Sequence, residues 1–333
     1  MAPDLDQRTY DLLQLIDVHE PIGSIRLVNL MQELGYSITS RTIRLTLNEL
    51  DEKGFTNKVG NKGRELSEQG RAELQKGNVR ERIEEVRARI AQLTSQVTFD
   101  PFDQTGLVVA SAVTVPEEHI EETKAVLAAL EETPLQPIPV QVTSDDEVVE
   151  LRVPSSITMD GVLINQGIAP NLICAGITEY VQRYADRPGT EGGEILRYTD
   201  AISGESSSMD VVSLLIKADQ TNISDIVFGS DSGLIVVDNR EIPLTSYNNA
   251  REIVGAVRSE LGGVVDIRRP REPGPFPYGG PGWGYASITY GGVGENVIGA
   301  LVEQGIARSW ETLHGHASIT EFTSSVEWIE RSS

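Results

Sequence analysis

The chain has 333 residues, enough for two or three domains, and its formal net charge of −22 reflects 50 acidic against 28 basic residues. Its one cysteine, Cys174, excludes an internal disulfide and a cysteine-based zinc cluster. No apolar run approaches the length of a transmembrane helix and no signal peptide opens the chain, so we expect a cytoplasmic protein without a membrane partner. Six lysines against 22 arginines favour a protein that works at high salt over an ordinary acidic protein.

The charge is unevenly distributed along the chain. Residues 96–333 carry a net charge of −21, whereas residues 1–95 carry a net charge of −1. Within residues 38–64, six basic residues outnumber three acidic ones. A basic patch on an otherwise acidic chain is the electrostatic signature of phosphate contact, so this stretch predicts double-stranded DNA as a partner.

Residues 1–75 are predicted to form a winged-helix domain. Two amphipathic helices precede a third helix, which Thr39 or Ser40 caps and whose apolar residues recur at helical spacing. Gly54 ends that helix. Two short strands, joined by a tight turn at residues 60–63, then form the wing.

The outer side of the third helix and the wing carry the polar residues that such a domain would present to DNA. Arginine, serine and asparagine side chains bond base edges and phosphates in a major groove, and basic residues on a wing lie where phosphates run. The residues predicted to bind DNA are Ser40, Arg41, Arg44, Asn48, Lys58, Lys62 and Arg64. The alternative is a winged helix that binds protein instead of DNA.

A linker helix is predicted over residues 76–100, and it contains a short heptad seam. The seam consists of Val79, Ile83, Val86, Ile90, Leu93 and Val97, spaced four and three residues apart. This pattern favours a coiled coil that makes the protein a homodimer or a higher homo-oligomer, since a winged helix usually needs a partner to read a two-fold operator. The alternative is a helix that lies on the C-terminal domain.

Residues 101–333 contain an internal duplication, with copies at about 106–185 and 233–326. The matching segments are GLVVASAVTVP at 106–116 with GLIVVDNREIP at 233–243, GVLINQGI at 161–168 with GALVEQGI at 299–306, and AGITEYV at 175–181 with ASITEFT at 317–323. We therefore predict a C-terminal α/β domain of two βαβαβ pseudo-repeats behind the winged helix and linker helix, an α+β arrangement for the whole chain. The shared pairs Thr178-Glu179 and Thr320-Glu321 would face either a cleft at the pseudo-twofold axis or solvent.

The second copy carries a glycine-rich strand-to-helix turn that the first copy lacks. Such a turn exposes backbone N–H groups at a helix N-terminus, which attracts anions, and arginines just upstream could clamp a carboxylate. The residues predicted to bind a small anionic metabolite are Arg268, Arg269, Arg271, Gly291, Gly292, Gly294 and Asn296. The alternative is a long glycine-proline loop with surface arginines.

No catalytic constellation is recognisable, and no metal site or resident cofactor is predicted. His314 and His316 bracket Gly315, but no acidic residue or cysteine at ligand spacing accompanies them. We therefore expect both histidines to be exposed to solvent and not to bind a metal. We found no nucleophile–base pair and no carboxylate dyad in a recognisable setting. The sequence therefore predicts a protein that is not an enzyme.

The segment ITSRTIRLTLNELDEKGF, with GNKGRELSEQG after it, resembles the winged helix named for ribonuclease R. The segments DGVLINQGIAPNLICAGITEY and GGVGENVIGALVEQGI resemble the regulatory domain of the NrpR family of archaeal nitrogen repressors. The resemblance covers nearly the whole chain. It implies a homodimeric repressor of nitrogen-assimilation promoters, released when 2-oxoglutarate binds the C-terminal domain, and with the acidic surface it indicates a haloarchaeal source. The sequence departs from the family at Glu295, which adds a negative charge where an anion would bind.

Two hypotheses follow. In the first, the chain is a sequence-specific DNA-binding regulator whose C-terminal domain senses a small anionic metabolite such as 2-oxoglutarate, which shifts the protein between states that do or do not fit the operator. In the second, a metabolite-binding or enzymatic α/β domain is tethered to a protein-binding winged helix. The basic patch on an acidic chain favours the first.

Overall fold

A computed structural model describes residues 7–33, 36, 38–60, 62–145, 147–182, 190–191, 193–203 and 211–331, and only the backbone for residues 7, 33, 75–84, 190 and 191. The chain forms two compact units, Met1–Glu84 and Glu85–Ser333. The division falls inside the predicted linker helix, so the first unit contains the winged helix and the second the α/β domain. Among the described residues, no helix is both long and apolar enough to cross a membrane.

The N-terminal unit has the three helices and the wing that the sequence predicts. Its elements are α1 (Gln7–His19), α2 (Ser24–Glu33), α3 (Ser40–Glu52), β1 (Thr56–Val59), β2 (Gly63–Leu66) and the first part of α4 (Glu68–Ser95). Thr39 caps α3, because its hydroxyl oxygen accepts the Thr42 backbone N–H at 3.3 Å. Ile43, Leu47 and Leu50 are buried in one core with α1 and α2. The predicted winged helix is therefore confirmed.

The wing is an antiparallel hairpin that also bonds to the turn before α2. Lys58 pairs with Arg64 across the hairpin. The Ile22 backbone N–H donates to the Arg64 carbonyl at 3.0 Å, and its own carbonyl accepts the Arg64 N–H at 2.9 Å. Gly63 has a φ of 132°, and a Cβ there would lie 2.2 Å from the Ile22 carbonyl, so glycine is required at this crossing. Asn61, which was assigned to the turn, lies outside the described residues.

The described residues of the C-terminal unit form two antiparallel sheets. Its strands are β3 (Leu107–Pro116), β4 (Pro139–Ser144), β5 (Val148–Pro154), β6 (Asn171–Val181), β7 (Thr190–Glu191), β8 (Glu194–Ser203), β9 (Ser232–Pro243), β10 (Val264–Arg268), β11 (Tyr285–Gly291), β12 (Ser309–Ser318) and β13 (Thr323–Ser324). Its helices after α4 are α5 (Ile120–Glu131), α6 (Thr158–Asn165), α7 (Val211–Lys217), α8 (Ile223–Val227), α9 (Tyr247–Leu261), α10 (Val293–Glu303) and α11 (Ser325–Arg331). The strand orders are β7-β10-β11-β9-β6-β8 and β12-β3-β5-β4-β13.

The duplication is visible in the fold, with one strand more per copy than predicted. The first copy runs β3-α5-β4-β5-α6-β6 and the second runs β9-α9-β10-β11-α10-β12, so each is βαββαβ. The last strand of each copy joins the sheet of the other copy, because β6 pairs with β9 and β12 pairs with β3. Leu151 of one sheet, Val236 of the other and Val297 of α10 share one core, so the two copies form a single folded unit.

The predicted equivalence of the two Thr-Glu pairs is wrong by four residues. GVLINQGI matches GALVEQGI at an offset of 138, and this offset superposes the start of β6 on the start of β12, whereas AGITEYV matches ASITEFT at an offset of 142. Thr178 is buried inside β6. Thr320 and Glu321 are exposed in a short 3-10 turn after β12. The two pairs therefore share no cleft.

Leu93 and Val97, the last two residues of the heptad seam, pack within the C-terminal unit. Leu93 and Val97 are buried in a core with α6 and α9. Arg89 Nη2 donates to the His314 carbonyl at 3.1 Å, and His316 Nε2 lies 2.8 Å from the Leu93 carbonyl oxygen. An amphipathic helix shows the same period whichever surface covers its apolar stripe. For Leu93 and Val97, the alternative prediction of a helix that lies on the C-terminal domain therefore applies. The side chains of Val79 and Ile83 lie outside the described part of the chain.

Candidate DNA-binding surface and buried polar centre

The outward side of α3 carries four of the predicted DNA-binding residues. Ser40, Arg41, Arg44 and Asn48 are all exposed. Arg44 Nε donates to the Ser40 carbonyl at 3.0 Å, which lays the arginine along the first turn of the helix. Leu45, on the same side, is 55% exposed. The surface thus combines hydrogen-bond donors with an apolar side chain, and base edges in a major groove are read by both.

Arg64 of the wing has a different position from the one predicted. Its side chain is only 13% exposed. Its guanidinium forms a bidentate pair with Asp51 of α3, with Nε–Oδ1 at 3.0 Å and Nη2–Oδ2 at 2.9 Å, and Nη2 also donates to the Asn48 side-chain oxygen at 3.0 Å. Arg64 therefore ties the wing to α3. The wing also carries two predicted DNA-binding lysines. Lys58 is largely exposed, with its Nζ 3.6 Å from Asp51, and Lys62 is exposed.

The ionisation of Asp51 reflects this contact. Partial burial raises its pKa, but hydrogen bonds from Arg64 and from the Thr56 hydroxyl, and the charges of Arg64 and Lys58, more than offset burial and hold the pKa below its usual value. The Thr56 hydroxyl donates at 2.6 Å. The carboxylate thus remains charged and keeps the wing attached at neutral pH.

Replacing Arg64 with alanine is expected to loosen the wing without unfolding the domain. Losing a bidentate charged contact that is mostly buried costs about 1.5–3 kcal/mol. Hydrogen exchange at the backbone N–H groups of Arg64 and Leu66 should accelerate by roughly 10- to 100-fold. Lys62→Ala removes a charge from the same wing and should leave these rates unchanged. Equal rates in the Arg64 variant and the wild type would show that the pair does not hold the wing.

The glycine-rich turn before α10 is closed by a carboxylate of the chain itself. Glu295, the third residue of α10, is 2% exposed. It accepts hydrogen bonds from the Ser155 hydroxyl at 2.6 Å, the Ser111 hydroxyl at 3.1 Å and the Ser156 backbone N–H at 3.0 Å. Burial, and secondarily the charge of Asp238, raise the pKa of Glu295 to about 7, although the bonds from Ser155 and Ser156 act in the opposite direction.

The other predicted residues of this turn hold the backbone together. Asn296 donates from Nδ2 to the carbonyls of Val236 and Gly292, and its side-chain oxygen accepts the Val236 N–H at 3.0 Å. A Cβ on Gly294 would lie 2.6 Å from the Pro154 carbonyl oxygen, so this glycine lets α10 approach the end of β5. Gly291 and Gly292 are buried with them. The turn is packed, and these residues do not line an open anion site.

The three predicted arginines lie away from the glycine turn. In the β10–β11 pairing Val264 is opposite Gly291 and Arg268 is opposite Ser287, which separates Arg268 from the turn by four strand residues, roughly 13 Å. Arg268 binds Asp266, with Nη2–Oδ2 at 2.6 Å. The remaining two stack on aromatic rings, Arg269 on Tyr247 at 4.4 Å and Arg271 on Trp283 at 3.5 Å. The prediction of one site from these two groups is therefore wrong, because an antiparallel hairpin carries them to opposite ends.

A buried ion cluster, which the sequence did not predict, lies beside Glu295. Arg240 of β9 has no exposed surface. Its Nη2 is 2.9 Å from Asp160 Oδ2 and 3.5 Å from Asp238 Oδ2, and its Nε also binds Asp160. The Ser156 hydroxyl in turn donates to Asp238. The signal in the sequence is the polar run Asp-Asn-Arg-Glu at 238–241, which directly follows the apolar residues 234–237 of the same strand.

A small cavity of about 40 Å³ adjoins this cluster. Ser155, Ser156, Asp238, Glu295 and Thr312 supply its polar wall, and Ile90 is among the apolar residues that complete it. Three hydroxyl-bearing side chains and two carboxyl groups thus meet at the contact of the two repeats. The negative character of this wall disfavours a dicarboxylate there.

The architecture defines a class: a winged helix followed by a duplicated, strand-exchanged βαββαβ unit. Residues 10–74 match the ribonuclease R winged-helix domain, and residues 83–324 match the NrpR regulatory domains NRD1 and 2. The chain therefore belongs to the NrpR regulatory-domain family. A solved structure of a nitrogen repressor-like protein from Methanococcus jannaschii has the same fold, with a TM-score of 0.56 at 15% identity, covering 72% of this chain and 97% of that one.

Three relatives carry names that describe nitrogen regulators. The global nitrogen regulator NrpRI of Methanosarcina mazei is 24% identical over 315 residues, which cover 92% of this chain and 87% of the relative. The global nitrogen regulator NrpR of Methanocaldococcus jannaschii is 26% identical over 225 residues, which cover 67% of this chain and 39% of the relative. The NrpR of Methanococcus maripaludis is 26% identical over 240 residues, 72% of this chain and 42% of the relative. The chain thus spans about two fifths of two of these proteins. The names are those of regulators and not of enzymes.

Proposed function

We propose that this chain is a DNA-binding transcriptional regulator of nitrogen-assimilation genes. The observation that carries the proposal is the exposed, arginine-bearing side of α3 in a winged helix joined to an NrpR regulatory domain. Arg41, Arg44, Ser40 and Asn48 approach base edges and phosphates in the major groove, and Lys58 and Lys62 contact phosphates beside it. Arg64 acts indirectly, because it positions the wing against α3.

The C-terminal unit, in this proposal, senses a small anionic metabolite such as 2-oxoglutarate, and the protein works as a homodimer or a higher homo-oligomer. The family resemblance supports the metabolite and the repressor role. Leu93 and Val97 pack within the chain, so these two residues do not join the subunits in this proposal. The metabolite shifts the protein between states that fit or do not fit the operator.

The proposal is tested by fluorescence anisotropy on DNA from a glutamine synthetase or ammonium-transporter promoter of the source organism, in molar KCl. The double variant Arg41→Ala, Arg44→Ala is expected to lose at least about 30-fold in operator affinity, since each lost base contact costs about 1–3 kcal/mol and two are removed. Arg251→Ala with Arg331→Ala is the matched control, because both arginines are exposed and belong to the C-terminal unit.

Specific binding that 2-oxoglutarate weakens supports both the output and the signal. Specific binding that ignores 2-oxoglutarate keeps the regulator and rejects this metabolite. Equal affinity of the double variant and the wild type would remove α3 as the recognition helix. Absence of specific binding by the wild type would reject DNA as the partner.

A further inference from the structure

The exposed side of α3 carries a large apolar side chain among its polar ones. Leu45 is 55% exposed, whereas Ile43 and Leu47 of the same helix are fully buried. Side chains three or four positions apart on a helix are neighbours, so Leu45 lies beside Arg41 and Asn48 on the side proposed to face DNA. Leucine cannot bind a phosphate. Its place on this surface therefore points to an apolar group on the base edges.

The side-chain amide of Asn48 has a defined orientation. The Nη2 group of Arg64 carries two hydrogens and donates one to Asp51 Oδ2 at 2.9 Å and the other to the Asn48 side-chain oxygen at 3.0 Å. A guanidinium only donates hydrogen bonds, so the amide atom that faces it is the oxygen. The bidentate contact with Asp51 holds Arg64 in place. Asn48 therefore turns its oxygen towards the wing and its Nδ2 group away from it.

This orientation decides which base edge suits Asn48. Asparagine reads adenine through two bonds, in which its oxygen accepts from N6 and its nitrogen donates to N7. Arg64 already occupies the Asn48 oxygen, which disfavours that pair of bonds. The Nδ2 group has no hydrogen-bond partner among the described residues, so it can donate to an acceptor in the major groove. Of the four bases, thymine alone presents there both an acceptor, O4, and a methyl group.

We propose that Leu45 and Asn48 together read a thymine of the operator, with Leu45 against the C5 methyl group and Asn48 Nδ2 donating to O4. Arg64 is the positioning residue that orients the amide. The inference rests on the proposed function, because it takes α3 as the recognition helix. The Cβ atoms of residues three positions apart on a helix are about 5–6 Å from each other. The methyl group and O4 of thymine are on neighbouring ring atoms, so a single base can contact both side chains.

Deoxyuridine substitution tests the contact of Leu45. Fluorescence anisotropy of the full chain is measured on the promoter DNA, with each thymine in turn replaced by deoxyuridine, which keeps O4 and removes only the methyl group. The wild type is expected to lose about 4-fold in affinity at the thymine that Leu45 contacts, the effect of one buried methyl group. Leu45→Ala should bind the thymine and deoxyuridine forms of that position equally. Since Leu45 is largely exposed, this variant should fold as the wild type does.

A second base substitution tests the amide. Replacing the same thymine·adenine pair with 5-methylcytosine·guanine keeps the methyl group and puts an amino group in the place of O4. The wild type is expected to lose at least about 5-fold in affinity, because the amino group and Asn48 Nδ2 are both donors. Asn48→Ala should lose less. Arg64→Met frees the amide to turn its oxygen to the amino group, so its loss should also be smaller, while its sensitivity to deoxyuridine remains. A residue that merely stabilised the wing would not change this base preference.

Val18→Ala is the matched control, because it trims another exposed apolar side chain of the same unit, in α1, and should keep the sensitivity to deoxyuridine. Specific binding by the wild type that no deoxyuridine weakens, or an equal loss in Leu45→Ala, would overturn the inference and leave the proposed function in place. Equal losses of Asn48→Ala and the wild type on the 5-methylcytosine DNA would overturn the role of the amide. Absence of specific binding by the wild type would reject the proposed function, and the inference with it.

Discussion

Replacing Arg240 with methionine is expected to lower the free energy of unfolding of the C-terminal unit by about 3–5 kcal/mol. Arg240 is fully buried and contacts both Asp160 and Asp238. Removing its charge leaves two buried carboxylates without their cation, and methionine fills much of the volume without replacing the charge. All three tryptophans lie beyond residue 280, so denaturation followed by tryptophan fluorescence reports on this unit.

A triple variant separates charge from packing. Arg240→Met combined with Asp160→Asn and Asp238→Asn removes the two stranded charges, and it should recover most of the lost stability. If the single variant lost less than about 1 kcal/mol, the cluster would not be the buried ion network that the contacts indicate. If the triple variant were no more stable than the single variant, the loss of stability in Arg240→Met would come from packing and not from charge.

Replacing Glu295 with glutamine is expected to change how stability depends on pH. The folded pKa of Glu295 is about 7, above the value of 4.5 for an unperturbed glutamate. Its contribution to stability is therefore fully present below about pH 4.5 and is lost as pH rises through 7, because ionisation places a charge in a buried site next to Asp238. A raised pKa of this size corresponds to about 3 kcal/mol.

Glutamine keeps the carbonyl acceptor for the Ser156 N–H and has no charge to lose. The stability of Glu295→Gln relative to the wild type should thus increase from pH 5 to pH 9, by up to about 3 kcal/mol in unfolding followed by tryptophan fluorescence. Glu118→Gln, at a side chain that is 81% exposed, measures the effect of removing one charge from a strongly acidic surface. A difference between Glu295→Gln and the wild type that stays constant over this range would contradict a pKa near 7.

The winged helix was predictable because its determinants are local. The cap at Thr39, the apolar spacing of Ile43, Leu47 and Leu50, and the tight turn of the wing each act within a few residues. The extra strand of each repeat was missed because β4 and β10 are short, five or six residues, and lie in segments without a matching partner. The alternation of apolar residues also does not reveal which sheet a strand joins.

The predicted effector site failed for a reason of geometry. Arg268 and Gly291 lie on the two strands of one hairpin and near each other in sequence. Antiparallel pairing nevertheless places them at opposite ends of that hairpin. The buried partners of Glu295 come from residues 111, 155 and 156, and Arg240 binds the distant Asp160 as well as its neighbour Asp238, so most contacts in these clusters join residues far apart in sequence. Charged residues in a sequence ordinarily indicate a solvated surface, and burial of such groups depends on contacts across the whole unit.

The exchange of last strands between the repeats constrains when the protein can fold during its synthesis. Strand β3 remains an open edge on one side until β12 arrives, and the paired residues Thr114 and Ser309 are separated by nearly the whole unit. A nascent chain that ends before residue 318 leaves that edge exposed, and unpaired strand edges promote aggregation. We therefore expect that the first repeat does not fold independently on the ribosome. Ribosome-bound chains truncated after the first repeat should stay protease-sensitive, and protection should appear only once β12 has emerged from the exit tunnel.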